Sequence, residues 1–232
     1  PLAIELAAAR IALLPPAAML ARLDHRLALL TRGDRDLPLR QQSLQGAITW
    51  SFDLLGPAEQ ALFRRLGVFV GGCTLEAATA VCNGNGDRDT GALDGLESLL
   101  DKSLVRQEET SQGDPRFLML ETLREFALTQ LHASDEVEEL RGLHAAYYLS
   151  LLESAASVCH SPGDVFVLDL LKSEGDNLRS ALRYLIERDD GERAMRFAHA
   201  SWWYCPSRGL ASDARRQLED ILACPSASGS SV

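Results

Sequence analysis

The chain has 232 residues, enough for one large domain or two smaller ones, each with its own core. Its hydrophobic fraction of 46% is that of a soluble protein, and no apolar run approaches the roughly 20 residues that span a bilayer. A formal net charge of −10, with no segment forming a basic patch, argues against binding to phosphate backbones.

The chain opens on Pro1 in the middle of a helical pattern and stops in a Ser-rich run, as expected of an internal piece of a longer polypeptide. Residues 2–14 are rich in Ala and Leu but are interrupted by Glu5 and Arg10. They lack the basic leader and cleavage site of a signal peptide, so a cytoplasmic product is expected. Pro15 and Pro16 end that helix. Residues 17–30 follow as a second, with Leu20, Leu23, Leu27 and Leu30 at helical spacing, and 31–38 form a charged linker. Residues 41–55 set Leu44, Ile48, Phe52 and Leu55 on one stripe; Gly56 and Pro57 break it, and 58–66 make the next helix. A short apolar stretch, 67–72, leads to Thr74, an N-cap for a helix through Leu75, Ala78 and Val81. The Asn-, Gly- and Asp-rich residues 83–90 read as a loop.

Residues 92–102 form a helix with Leu93, Leu96, Leu99 and Leu100 as its apolar face. Alternation predicts strands over 103–107 and 116–120 around a polar turn, and over 118–131 the pattern passes from apolar strand to amphipathic helix. Three helices, strand, turn, strand and helix is the order of a winged-helix domain. From 134 onward the strands vanish. Helices are expected over 136–157, 165–188, 191–204 and 211–223, two pairs in the manner of a tetratricopeptide-like solenoid, whose unit is about 34 residues. The expected fold is mainly α, with boundaries at 1–38, 39–133 (winged helix with a small β-hairpin) and 134–232 (solenoid helices).

Motifs for chemistry are absent. Gly67-x4-Gly72-Cys73-Thr74 has the outline of a phosphate loop, but Cys73 stands where a lysine must reach the phosphates, so a tight turn into a helix is the better reading. There is no GxSxG, HExxH or paired-histidine spacing; His144 and His199 lie among apolar residues on helices, as packing or surface groups do. Cys159 and His160 are adjacent and so point about 100° apart on a helix. The five cysteines form no CxxC pair and read as free thiols, and no metal site is expected. The helix before the hairpin, which enters the major groove in a DNA-reading winged helix, displays Asp94, Glu97 and Asp101 against Lys102. DNA binding by this segment is therefore not expected. Trp202, Trp203 and Tyr204 concentrate the aromatic character, either as core between helices or as a partner-binding face.

Several blocks carry a family resemblance: residues 1–10, Arg40-Gln41-Gln42-Ser43-Leu44, Trp50-Ser51-Phe52-Asp53-Leu54-Leu55, 62–72, Asp101-Lys102-Ser103-Leu104-Val105, 116–127 and 176–182. In combination they resemble the STAND/NB-ARC class of signal-transducing ATPases, more narrowly bacterial regulators that join an ATPase to a LuxR-type or SARP-type DNA-binding domain. The resemblance implies that 1–38 end the helical lid of an NTPase domain, that the winged helix packs on the nucleotide site, and that the rest begins a sensor array. It places Pro1 at the nucleotide-touching proline of the lid, and Met119, Leu120 and Glu121 at a Met-His-Asp motif facing ADP phosphates. Leu120 replaces the histidine and removes any imidazole–phosphate contact, while Glu121 retains an acid.

The function so implied is a non-catalytic relay that couples the nucleotide state of a parent ATPase to the helical array. No cofactor is expected on this chain, with ATP or ADP bound by the parent. The expected partners are its own upstream NTPase domain and a protein or small-molecule inducer on the array, with oligomerisation on activation and no membrane. A DNA-binding winged-helix regulator and a peptide-binding solenoid adaptor are the alternative readings.

Overall fold

A computed structural model describes residues 44–83, 90–109, 114–158 and 165–201. The helices expected over 2–14, 17–30 and 211–223 lie outside the described residues. So do Pro1, Trp202, Trp203 and Tyr204, together with Cys159, Cys205 and Cys224. The chain divides into two compact units. One comprises Pro1–Gly67, Thr90–Arg106 and Met119–Asp135, and the other Val68–Asp89, Gln107–Leu118 and Glu136–Val232.

The first unit holds α1 (Leu44–Asp53), α2 (Pro57–Leu66), α4 (Thr90–Asp101) and α5 (Glu121–His132). Pro57 begins α2, one residue before the expected start, because a first-turn residue needs no N–H partner. The Gly56 N–H is taken by Glu59 Oε2 at 2.8 Å, and Arg64 and Arg65 close the helix where its dipole favours cations. Phe52, Phe63 and Phe126 meet with ring centroids 5.5 to 6.3 Å apart, and Ile48, Leu55, Leu62, Leu66, Leu123 and Leu131 complete the core. On α4 the buried stripe is Ala92, Leu96 and Leu99, whereas Leu93 is 49% exposed. Gly95 lies so close to α2 that a Cβ there would sit 2.5 Å from Leu62 Cδ2.

The strand expected from Ser103 begins only at Arg106. Ser103 takes a positive φ of 57°, and the Leu99 carbonyl accepts both the Leu104 and the Val105 N–H. Those three residues therefore finish the helix, burying Leu104 and Val105, before extension starts.

The second unit holds β1 (Cys73–Thr74), α3 (Leu75–Cys82), β3 (Pro115–Leu118), α6 (Val137–Val158), α7 (Val165–Ser173), α8 (Gly175–Glu187) and α9 (Gly191–Ser201), with β2 (Arg106–Glu109) beyond its first residue. The sheet order is β1-β3-β2, and β1 pairs antiparallel with β3 through Cys73 to Phe117 and Thr74 to Arg116. Strand β3 stops at Leu118 rather than at 120. Thr74 caps α3 as the sequence requires, its hydroxyl accepting the Ala77 N–H at 3.2 Å. The 22-residue α6 packs against α3, α8 and α9.

The single helix expected over 165–188 is two helices, broken at Glu174 (φ −95°, ψ 3°). The break is a local one, since the Glu174 N–H still donates to the Leu170 carbonyl and its own carbonyl still accepts the Leu178 N–H. Gly175 follows it, and the Glu174 side chain is 2% exposed and turned inward onto polar partners. Among the described residues, no helix is long and apolar enough to cross a membrane. The described architecture is mainly helical with one small antiparallel sheet, as composition and periodicity predict.

Candidate functional site

Polar side chains gather in two places, one on a helix face and one in the interior. The first is α4, the helix before the hairpin. Burying Ala92, Leu96 and Leu99 leaves Leu93, Asp94, Glu97 and Asp101 exposed. Lys102, the cation beside them, is committed: its Nζ lies 2.5 Å from Glu59 Oε1 and 2.6 Å from Ser98 Oγ. Ser98 Oγ also donates to Glu59. Hydrogen bonds from Lys102, Ser98 and the Gly56 N–H together hold the Glu59 carboxyl down at about 2. The four residues of β2, Arg106, Gln107, Glu108 and Glu109, are all exposed. The accessible side of α4 is therefore acidic with one apolar side chain, the opposite of a surface that releases counterions from DNA.

The second is a buried polar cluster in the other unit, for which the sequence gives no direct sign. Gly71 and Gly72 both have positive φ, 77° and 84°, and the turn they make aims carbonyl oxygens inward. The Gly71 carbonyl accepts Arg116 Nε at 2.9 Å. The Gly72 carbonyl accepts Arg116 Nη2 at 3.0 Å and Asn177 Nδ2 at 2.9 Å. The Val70 N–H donates to Asn177 Oδ1 at 2.7 Å. The loop that resembles a phosphate cradle thus presents oxygens to a guanidinium and to an amide, a polarity suited to a cation.

Glu174 completes the cluster. It pairs with Arg116 Nη1 and accepts from Tyr148 Oη at 2.9 Å and Asn177 Nδ2 at 2.8 Å. Burial works against charge on Arg116, but the hydrogen bond and charge of Glu174 outweigh it and raise the guanidinium above its ordinary range. Burial pushes the Tyr148 hydroxyl far up and the His144 imidazole down to about 4, although Asn177 Oδ1 lies 3.4 Å from His144 Nε2. Phe69, His144 and Tyr148 stack round this edge, with centroids 4.7 to 6.4 Å apart. Gly175, an unusual residue inside a long helical pattern, was the available sign of the break that admits Glu174.

Met119 is half-buried, Leu120 is 47% exposed at the N-cap of α5, and Glu121 opens that helix. Glu121 is engaged by Arg124 through two hydrogen bonds, of 3.1 and 2.8 Å. His144 is buried and His199 exposed. Cys73 and Cys82 are buried free thiols, and burial raises the Cys73 pKa. Among the described residues, no group of three or more His, Cys, Asp or Glu side chains is arranged to hold a metal ion.

Residues 55–132 match a family profile described as a winged helix-turn-helix domain. Over 198 residues, 85% of the chain, the sequence is 39% identical to a protein of Mycobacterium tuberculosis provisionally named HTH-type transcriptional regulator Rv0890c. A Mycobacterium bovis protein of the same provisional naming, Mb0914c, matches equally. Rv0894 of M. tuberculosis, an uncharacterized protein, is 38% identical over 141 residues, 60% of this chain and 35% of its own length. The chain spans 22% of the length of Rv0890c. No solved structure matches it. Strand order, element order and profile agree that residues 55–132 are a winged helix-turn-helix domain, in a chain similar over most of its length to proteins named as transcriptional regulators.

Proposed function

We propose that this chain is a regulatory, non-catalytic portion of a transcriptional regulator, in which the winged helix meets protein rather than DNA. The parent would be a STAND-type ATPase. The winged helix would dock on the upstream NTPase domain, and the α6–α9 region would begin a tetratricopeptide-like sensor. ATP or ADP would belong to that upstream domain, and an inducer on the array would shift the balance between resting and oligomerising states through its different affinities for them. The observation that carries the reading is the α4 surface: Asp94, Glu97 and Asp101 are exposed, while Lys102 is held by Glu59 and Ser98. A mobility-shift titration at about 50 mM salt, where electrostatic DNA binding is strongest, should show no retardation.

The second reading is a DNA-binding winged-helix regulator, favoured by the profile match and by the names of the mycobacterial relatives. Retardation that weakens steeply with salt would put this reading in place of the first. Calorimetry with ADP separately tests the assignment of nucleotide to the upstream domain, since micromolar binding by this chain would refute it.

A further inference from the structure

Glu174 does more than fill a buried position. An acid that is 2% exposed stands between two helices and accepts from Arg116 on β3, Tyr148 on α6 and Asn177 on α8. Arg116 in turn grips the Gly71 and Gly72 carbonyls, and Asn177 holds Val70 and Gly72. One carboxylate therefore ties the central strand of the wing, the turn leading into β1 and two helices of the array. We infer that Glu174 is a latch through which the array holds the wing. A rearrangement at the α7–α8 junction that withdraws this carboxylate leaves a buried guanidinium uncompensated and releases β3 with its arginine. The inference rests on the relay reading and deepens it, by naming the side chain that passes the array's state to the wing.

Hydrogen exchange on the full chain tests it. In Glu174→Ala, amides of 70–74 and 115–118 should exchange at least about 100-fold faster, as expected when one partner of a buried pair is removed. Amides of α2 and α5 should stay within about threefold of the parent chain. Glu174→Gln, which keeps an acceptor for Tyr148 and Asn177, should give a smaller acceleration in the same segments and serves if the alanine variant does not fold. The paired Arg116→Met, Glu174→Met chain should recover slow exchange, because it strands no charge. Unchanged exchange in 70–74 and 115–118, or equal acceleration in every segment, would overturn the latch. DNA retardation would refute the relay reading without altering this exchange pattern, so the two failures are distinguishable.

Discussion

Gly72→Ala should be among the most damaging single-methyl additions in the chain, and its size can be worked from two terms. Gly72 sits at φ +84°, where an L-residue is disfavoured by about 1–2 kcal/mol. A Cβ there would also lie 2.4 Å from the Phe117 carbonyl oxygen and 3.0 Å from Leu118 Cγ. Carbon and carbonyl oxygen normally approach no closer than about 3.3 Å, so β3 would have to retreat by close to an ångström. Strand β3 is paired with β1 and held by Arg116, so it yields with difficulty, and overpacking of this kind costs about 1–3 kcal/mol. The sum is about 2–5 kcal/mol. Gly71→Ala is the internal control. Its φ of +77° brings the same conformational penalty, but its Cβ would meet only Asp176 at 3.5 Å, leaving about 1–2 kcal/mol.

Urea titrations followed by circular dichroism measure both. With a slope of about 1–3 kcal/mol per molar, Gly72→Ala should lower the midpoint of the sheet-containing unit by about 0.7 M or more, and Gly71→Ala by distinctly less. Gly72→Asn separates the terms further: asparagine tolerates positive φ but keeps the Cβ, so most of the loss should remain. Equal losses at 71 and 72, or full recovery with asparagine, would refute the close approach of the turn to β3 as the controlling factor.

Three other outcomes follow from the same geometry. Glu59, held at about 2 when folded, contributes stability that is complete above its ordinary value of 4.5 and is lost as pH falls from there towards 2. Glu59→Gln should flatten that acid limb and cost about 1 kcal/mol or less at neutral pH, because its partner Lys102 is well solvated. His144, lowered to about 4 by burial, stays neutral when folded while the unfolded chain binds a proton below about 6.5. Its contribution to stability therefore falls between pH 6.5 and 4, by no more than about 1.4 kcal/mol per pH unit, and His144→Gln should remove that slope from the unfolding midpoints. Thr74→Ala, which strips the cap from α3, should cost about 1 kcal/mol in the same titration, and Thr74→Ser should restore most of it.

Much of the fold was legible because local rules dominate where they agree with tertiary packing. The cap at Thr74, the break at Gly56 and Pro57, and the burial of Ile48 on α1 and of Leu55 just beyond it all follow from spacing and turn chemistry. Leu93 shows the limit: helical spacing puts it beside Leu96, yet the stripe that packs is Ala92, Leu96 and Leu99, so small Ala92 is buried and large Leu93 is not. Periodicity reports that a face is apolar and does not locate its edge. The Glu174 cluster was illegible for a deeper reason. Its donors come from positions 116, 148 and 177, and a bond between residues 58 apart leaves no local pattern.

The acidic face of α4 was legible from the beginning, and its physical weight can be gauged. A carboxylate about 8 Å from a phosphate is repelled by about 0.5 kcal/mol in water, and by more where the interface excludes solvent. Three such groups would together oppose a phosphate backbone by about 1.5 kcal/mol, with the neighbouring lysine engaged by Glu59. The scaffold that positions a recognition helix is intact here, because it depends on Leu62, Phe63, Leu96 and Leu99 in the core. The surface that would read DNA is set by Asp94, Glu97 and Asp101, which make no contribution to that core. Core packing and outer-face chemistry are therefore encoded by different residues of the same helix, so substitutions on the outer face can change what a winged helix binds without changing its architecture.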